Sequence, residues 1–286
     1  MPTNTPPPTQ PGVIEFYNEA TEDYHFWSKD YNMHFGYYLP LRTNPFKRDT
    51  MLNEMNRQVY KRLGLKDHPS VVADLGCGMG ATMKYGLRKH PNLSSIGLTL
   101  STFQEAEGNT LLAGLNGKII IENYNNTSFG SDFFDGAVAL ESFCHSGHSY
   151  QTLHEAHRIL KPRSRLVIAD AFLKQPEEKL ILSGKYCYSK LCQGWSLAGL
   201  ADIKNFEQML QKIGFTNIRI ENISYKVAPS VVHVPFAISG FMIKKKLKNE
   251  PIKPQSVNNL KGSFYALLSG LHLSVFGYYM ITCEKA

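Results

Sequence analysis

The chain has 286 residues, 43% hydrophobic and 12% aromatic, which is enough to bury one large core or one core with a lid and too apolar for a disordered polypeptide. Its formal net charge of +7 would suit nucleic acid, but the only dense basic run is Lys244 to Lys248 and no basic stripe interleaves with aromatics, which argues against a nucleic-acid partner. Five cysteines, odd in number and without C-x-x-C spacing, argue against a disulfide framework and a structural metal and predict reduced thiols in a cytoplasmic setting.

Taken in chain order, Met1 to Gly12 carries five prolines and no aliphatic pattern, so residues 1–12 read as a disordered tail. With neither a basic start nor an apolar stretch, this is not a signal peptide. Residues 13–64 read as an N-terminal helical cover. It is aromatic at first (Phe16, Tyr17, Tyr24, Phe26, Trp27, Tyr31, Phe35, Tyr37, Tyr38), then helical through Met51, Leu52, Met55, Val59 and Leu63, with Gly64 as the cap. From 65 to 173 strands and helices alternate. The predicted strands are Val71 to Leu75, Ser95 to Leu98, Lys118 to Glu122, Gly136 to Leu140 and Arg165 to Ala169. Between them the spacing predicts helices over Gly80 to Lys89, Thr102 to Ala113 and Tyr150 to Leu160, the last stopped by Lys161-Pro162. Such alternation predicts a parallel, doubly wound α/β sheet with its ligand at the carboxyl ends of the strands.

Beyond Leu173 the alternation lapses into an aromatic-rich segment with Tyr186, Tyr188, Trp195, Leu197 and Leu200, read as a lid over 174–201. A core continuation over 202–226 follows, with a helix from Phe206 to Ile213, Gly214 as its cap and a strand over Asn217 to Ser224. Residues 227–275 continue the lid, with Phe236 and Phe241, and 276–286 form a closing strand. Phe264 to Ile281 approaches the length of a membrane span, but Ser269, Gly270, His272, Ser274 and Gly277 dilute it, and a lid helix followed by a core strand accounts for it. Lys244 to Lys248 reads as a solvated helix end, with peripheral contact to an anionic membrane surface as the alternative.

The strongest chemical statement is the run Val71 to Leu75 flowing into Gly76-Cys77-Gly78-Met79-Gly80 and then a helix. Glycines at a strand-to-helix turn let the backbone approach a ligand, and the helix N-H groups face its negative part, which predicts a nucleotide cofactor. Asp74 stands two residues before the first glycine.

That D-L-G-C-G-M-G order resembles the first motif of class I S-adenosylmethionine (SAM) methyltransferases. Three further stretches carry the same resemblance: His34-Phe35-Gly36-Tyr37-Tyr38, Gly97-Leu98-Thr99-Leu100-Ser101 with Gln104, and Ala139-Leu140-Glu141-Ser142-Phe143-Cys144-His145. Together they are similar to sterol, tocopherol and related isoprenoid-type small-molecule methyltransferases, a branch related to cyclopropane fatty-acid synthases. The resemblance implies a Rossmann-like seven-stranded fold with SAM as cofactor. It implies cofactor contacts from Tyr17 and His34 in the cover, from Asp74, Gly76 and Gly78, from Thr99, Leu100 and Gln104 at the ribose, and from Asn123 and Tyr124 at the adenine. Lys161-Pro162-Arg163-Ser164 departs from the family's usual turn and takes no assigned role.

Glu141 and His145 end the fourth strand, where a parallel sheet presents its ligand groups. With an alkene acceptor, aromatic faces would stabilise the carbocation and Glu141 or His145 would remove the proton. With a hydroxyl acceptor, His145 would be the general base and Asp170 would orient its imidazole. His148, between Gly147 and Ser149, reads as a loop or cap residue. The aromatic lid suits a lipophilic small molecule. The expected activity is C-methylation of an isoprenoid or lipid alkene. O-methylation of a hydroxylated natural product and a non-catalytic SAM-binding protein at a membrane surface are the alternatives. The oligomeric state, a homo-oligomer included, is open.

Overall fold

The computed structural model describes residues 27–195, 197–249, 257–258, 261–262, 264–265, 268 and 275–286. Tyr17 and the proline-rich tail lie outside the described residues. Helix α1 (Arg48–Leu63) ends on Gly64, whose φ of 68° only glycine adopts without strain. The alternating part runs β1 (Ser70–Leu75), α2 (Ala81–Lys89), β2 (Leu93–Thr99), α3 (Thr102–Leu111), β3 (Gly117–Ile121), β4 (Phe134–Leu140), α4 (Tyr150–Ile159) and β5 (Leu160–Leu173). There follow α5 (Leu182–Gly194), α6 (Ile203–Ile213), β6 (Phe215–Asn222), α7 (Ser224–Leu247) and β7 (Phe276–Lys285).

The seven strands form one sheet in the order β3-β2-β1-β4-β5-β7-β6. β1 to β5 are parallel, and β7 enters antiparallel between β5 and β6. The sheet is thus Rossmann-like, with a mixed rather than purely parallel end. The chain order reverses beside β1 and β4, and that is where strands diverge and leave a crevice for a ligand. Two apolar layers cover the sheet. One packs α4 and α6 through Leu153, Ile159, Phe206 and Leu210. The other packs α1 and α2 through Met55, Val59, Met83 and Leu87.

Several expectations shift in detail. Pro162 does not end the helix; α4 stops at Ile159, and the Lys161-Pro162 pair already belongs to β5. β6 ends at Asn222, so the residues from Ser224 begin α7 rather than finish a strand. α5 packs through Tyr188 and Leu191 in a separate small cluster with Leu173 at the end of β5, which also takes in the flanking Leu180 and Leu200 and Cys144 and Val275. The expected lid aromatics do not act together. Tyr188 is buried in the small cluster beneath α5, and Phe236 is 74% exposed on the outside of α7. Trp195, at the end of α5, lies 6.0 Å from the ring of Phe35 in the cover.

Candidate active site

A cleft opens at the carboxyl ends of β1, β2 and β4. It is lined from β1 and its turn by Asp74, Gly76, Cys77 and Gly78, from the end of β2 and the start of α3 by Thr99, Leu100 and Gln104, and from the turn after β4 by Glu141 and His145. Segment 31–34 of the cover closes it with Tyr31, Met33 and His34. The glycine turn works by close packing more than by free N-H groups. The N-H groups of Gly76 and Cys77 both donate to Leu98 O, at 3.1 and 3.0 Å. At Gly76, with φ of 90°, a Cβ would stand 2.5 Å from Ser142 Cβ, and at Gly78 it would stand 2.7 Å from Met33 Sδ. Side chains there would push β4 or the cover away from the turn.

Asp74 is 2% exposed, and its Oδ2 has no hydrogen-bond partner. Burial pushes its carboxyl up to about 7. A buried carboxylate oxygen facing a cleft calls for a cation, and the ammonium of a methionyl group is one. Beside it, Thr99 Oγ1 donates to Gln104 Oε1 at 2.6 Å, a polar pair suited to ribose hydroxyls. The described residues therefore fit SAM: Asp74 would take the amino end and Thr99 with Gln104 the ribose. His34 is buried, with Nδ1 2.8 Å from Phe35 O and Nε2 3.1 Å from Asn32 Oδ1. Burial pushes its pKa down to about 4, so it is neutral near pH 7. Through Asn32, Asn56 and Thr82 a chain of hydrogen bonds of 2.8 and 2.9 Å ties the cover to α1 and to the first turn of α2.

Residues 73–168 match the family described as methyltransferase domain. The chain carries a class I SAM-dependent methyltransferase domain. Over 222 residues it is 25% identical to 24-methylenesterol C-methyltransferase 2 of Arabidopsis thaliana, covering 74% of this chain and 58% of that protein. It thus spans little more than half the length of that relative. It is 23% identical to the probable chloroplastic tocopherol O-methyltransferase of Oryza sativa subsp. japonica, across 98% of this chain and 79% of that one. Its fold is that of the cyclopropane synthase MmaA2 from Mycobacterium tuberculosis, with a TM-score of 0.82, 17% identity, and 99% and 100% of the two chains covered. SAM is the cofactor of the methyltransferase domain.

Other sequence-predicted residues of the domain fall unevenly. Tyr124 lines the cleft and its hydroxyl donates to Ser142 O at 2.9 Å. Asn123 does not line it; its Oδ1 accepts the N-H of Asn125 in a tight turn, and Glu122 takes the lining position instead. Asp170 does not orient His145. Its oxygens accept the N-H groups of Cys144 and Ala171, at 3.0 and 2.8 Å, and its Oδ2 lies 3.3 Å from His148 Nε2. His148 is not a surface cap but fully buried, stacked 4.3 Å from Phe172. Its Nδ1 accepts the N-H of Ala201 at 3.3 Å, so in the neutral ring the proton sits on Nε2, toward Asp170.

Glu141 is the meeting point of the site. It takes a left-handed φ of 49°, which costs a non-glycine residue about 1–2 kcal/mol and turns its side chain off the strand end. Its Oε1 accepts the N-H of Phe35 at 2.6 Å and the hydroxyl of Tyr278 at 2.7 Å. Burial raises its carboxyl to about 8 against the pull of both donors. The ring of Phe35 lies 6.0 Å from Trp195 and 6.3 Å from Tyr278 between centroids, and none of the three is among the cleft's lining residues. Sequence reasoning missed Tyr278 and read Trp195 only as lid.

Proposed function

We propose that this protein transfers a methyl group from SAM to a lipophilic isoprenoid or lipid acceptor, adding it to an alkene carbon. One observation carries the reading: Glu141, a buried carboxyl of raised proton affinity, lines the cofactor cleft and is held by the N-H of Phe35 and the hydroxyl of Tyr278, with the ring of Phe35 packed against Trp195 and Tyr278. When bound, SAM supplies an electrophilic methyl group on a cationic sulfur. An alkene that takes up that methyl becomes a carbocation, and aromatic faces stabilise it in a site from which the cover excludes water. Glu141 then accepts the proton from the neighbouring carbon, and a double bond re-forms. A positive charge beside Glu141 draws its carboxyl toward the ionised form, so the base is made when it is needed. Holding donor and acceptor in line accounts for roughly 7–11 kcal/mol of such a reaction. The sterol C-methyltransferase relative, by its name, methylates carbon, which supports the reading.

O-methylation with His145 as base is the second reading, since His145 lines the same cleft and one relative is a tocopherol O-methyltransferase. Incubation with methyl-labelled SAM and a panel of sterols, polyprenyl compounds and phenols, read by mass spectrometry, tests both. Label on carbon is expected. Label on oxygen favours the second reading, and SAM binding without any labelled product across the panel favours a non-catalytic role.

A further inference from the structure

α7 is apolar on two opposite faces, and the fold uses only one. Its inner side places Ile223, Val227, Ser230, Ala237 and Phe241 against the domain, at spacings that keep to one helix face. Ser230 Oγ accepts the N-H of Gly36 at 2.7 Å, and Lys226 O accepts the N-H of Tyr38 at 2.7 Å, so the helix lies along the cover. Its outer side carries Tyr225, Val232, Phe236, Ile243 and Leu247, exposed to 77, 51, 74, 59 and 81%. The steps of seven and four residues between them put these side chains on the face opposite the packed one. By length and composition the 24-residue helix could cross a bilayer, but its packed inner face holds it flat on the domain.

A second element extends the same surface. His233 Nε2 lies 2.6 Å from Pro45 O, which sets the loop 40–47 beside the middle of α7. That loop projects Leu41 and Phe46, exposed to 108 and 88%. The charges on both elements have one sign. Lys47 belongs to the loop and Lys246 borders the exposed stripe; Arg42 of the loop pairs with Glu54 at 3.1 Å, Lys244, Lys245 and Lys248 fall in step with Phe241 on the packed side, with Lys245 Nζ 5.1 Å from the Phe241 ring, and neither segment contains an aspartate or glutamate. Exposed apolar stripes of this size mark an interaction surface, and their cationic flanks select an anionic one.

We propose that the outer face of α7, with the loop 40–47, docks the protein on an anionic lipid bilayer. The helix lies in the interface plane, Phe46 and Phe236 enter the acyl boundary, and Lys47 and Lys246 rest among the headgroups. The surface stands independently of which acceptor is methylated.

Flotation of the full-length protein with phosphatidylcholine vesicles, with and without phosphatidylglycerol, tests it. The protein is expected to float with the anionic vesicles, less so as salt rises, and weakly or not at all with phosphatidylcholine alone. Lys47→Gln with Lys246→Gln should weaken the anionic partition about twenty-five-fold, at about fivefold per lysine. Phe46→Ser with Phe236→Ser should weaken it about tenfold or more. Calorimetric SAM binding, unchanged in both double variants, shows that they are folded and separates this result from the fate of the methyl-transfer reading. No flotation of the wild type, or equal flotation of all three proteins, overturns the proposal. So does stripe-dependent self-association in sedimentation velocity without flotation, which would assign the face to a second copy of the chain.

Discussion

The donor and acceptor halves of the cleft are built in different ways. The donor half comes from residues close in sequence at the ends of adjacent parallel strands: Asp74 to Gly78 across the end of β1 and Thr99 to Gln104 across the end of β2. The acceptor half, in the proposed reading, centres on Glu141, which joins Phe35 and Tyr278, with Trp195 packed on Phe35, from four distant parts of the chain. The donor side is held by backbone hydrogen bonds of the sheet, whereas the acceptor side hangs on one carboxylate oxygen that clamps the cover to the closing strand. A binding site for a constant cofactor can be rigid and local; a site for a variable acceptor is assembled from segments that substitute without disturbing the sheet.

Glu141→Gln sets the halves apart most sharply. The amide keeps an oxygen for the N-H of Phe35 and the hydroxyl of Tyr278 but cannot take a proton, so kcat should fall by about 10²- to 10⁴-fold while SAM affinity stays near wild type. Single-turnover assays with calorimetry measure both. A comparable loss of SAM binding would mean that the two halves are not separable, and a kcat loss confined to His145→Ala would move the base to the histidine.

Asp74→Asn addresses the other half. Losing a buried charged partner for the ammonium should weaken SAM by about ten- to a hundredfold, with kcat at saturating SAM changed little. In the wild type the folded-state pKa of Asp74 lies above that of the unfolded chain, at about 7. The stability tied to this raised affinity is therefore full below the ordinary carboxylate range and is lost as pH rises through about 7. The cofactor-free Asn variant should consequently be more heat-stable than the wild type at pH 8, and the wild type should bind SAM more tightly as pH rises through about 7. Thermal unfolding and calorimetry across pH read the two effects.

The same division decides what the sequence made legible. The strand-to-helix turns, the seven strands and the residues that line the cleft beside β1 and β2 were readable because each lies within one contiguous motif. The one donor-side slip, Asn123 for Glu122, is a register error where β3 ends: Ser128 Oγ donates to Glu122 Oε2 at 2.9 Å and fixes the loop one residue earlier. Strand parity could have prevented the Asp170 error. Leu166, Ile168 and Phe172 share one face of β5, Asp170 falls in step with them, and that face meets His148 and α6 rather than the cleft. Tyr278 was invisible for another reason. Its hydroxyl reaches Glu141 only because β7 runs antiparallel with Tyr278 opposite Ala171, and a pairing across 107 residues leaves no local signal.

Tyr278→Phe is the mildest break and the most diagnostic. The aromatic ring and its apolar packing remain, and only the hydrogen bond to Glu141 Oε1 is lost. That bond favours the ionised carboxyl, so its removal should raise the proton affinity of Glu141 beyond about 8. A base works only when ionised, hence activity in the wild type should climb with pH along a limb governed by Glu141, and the variant should show the same limb displaced upward by about one unit. At pH 7 this amounts to about a tenfold loss that alkaline assays restore. A purely structural role for the hydroxyl would lower activity equally at every pH. The displaced limb, and its recovery at high pH, would tie the closing strand to the proton transfer through a single oxygen of Glu141.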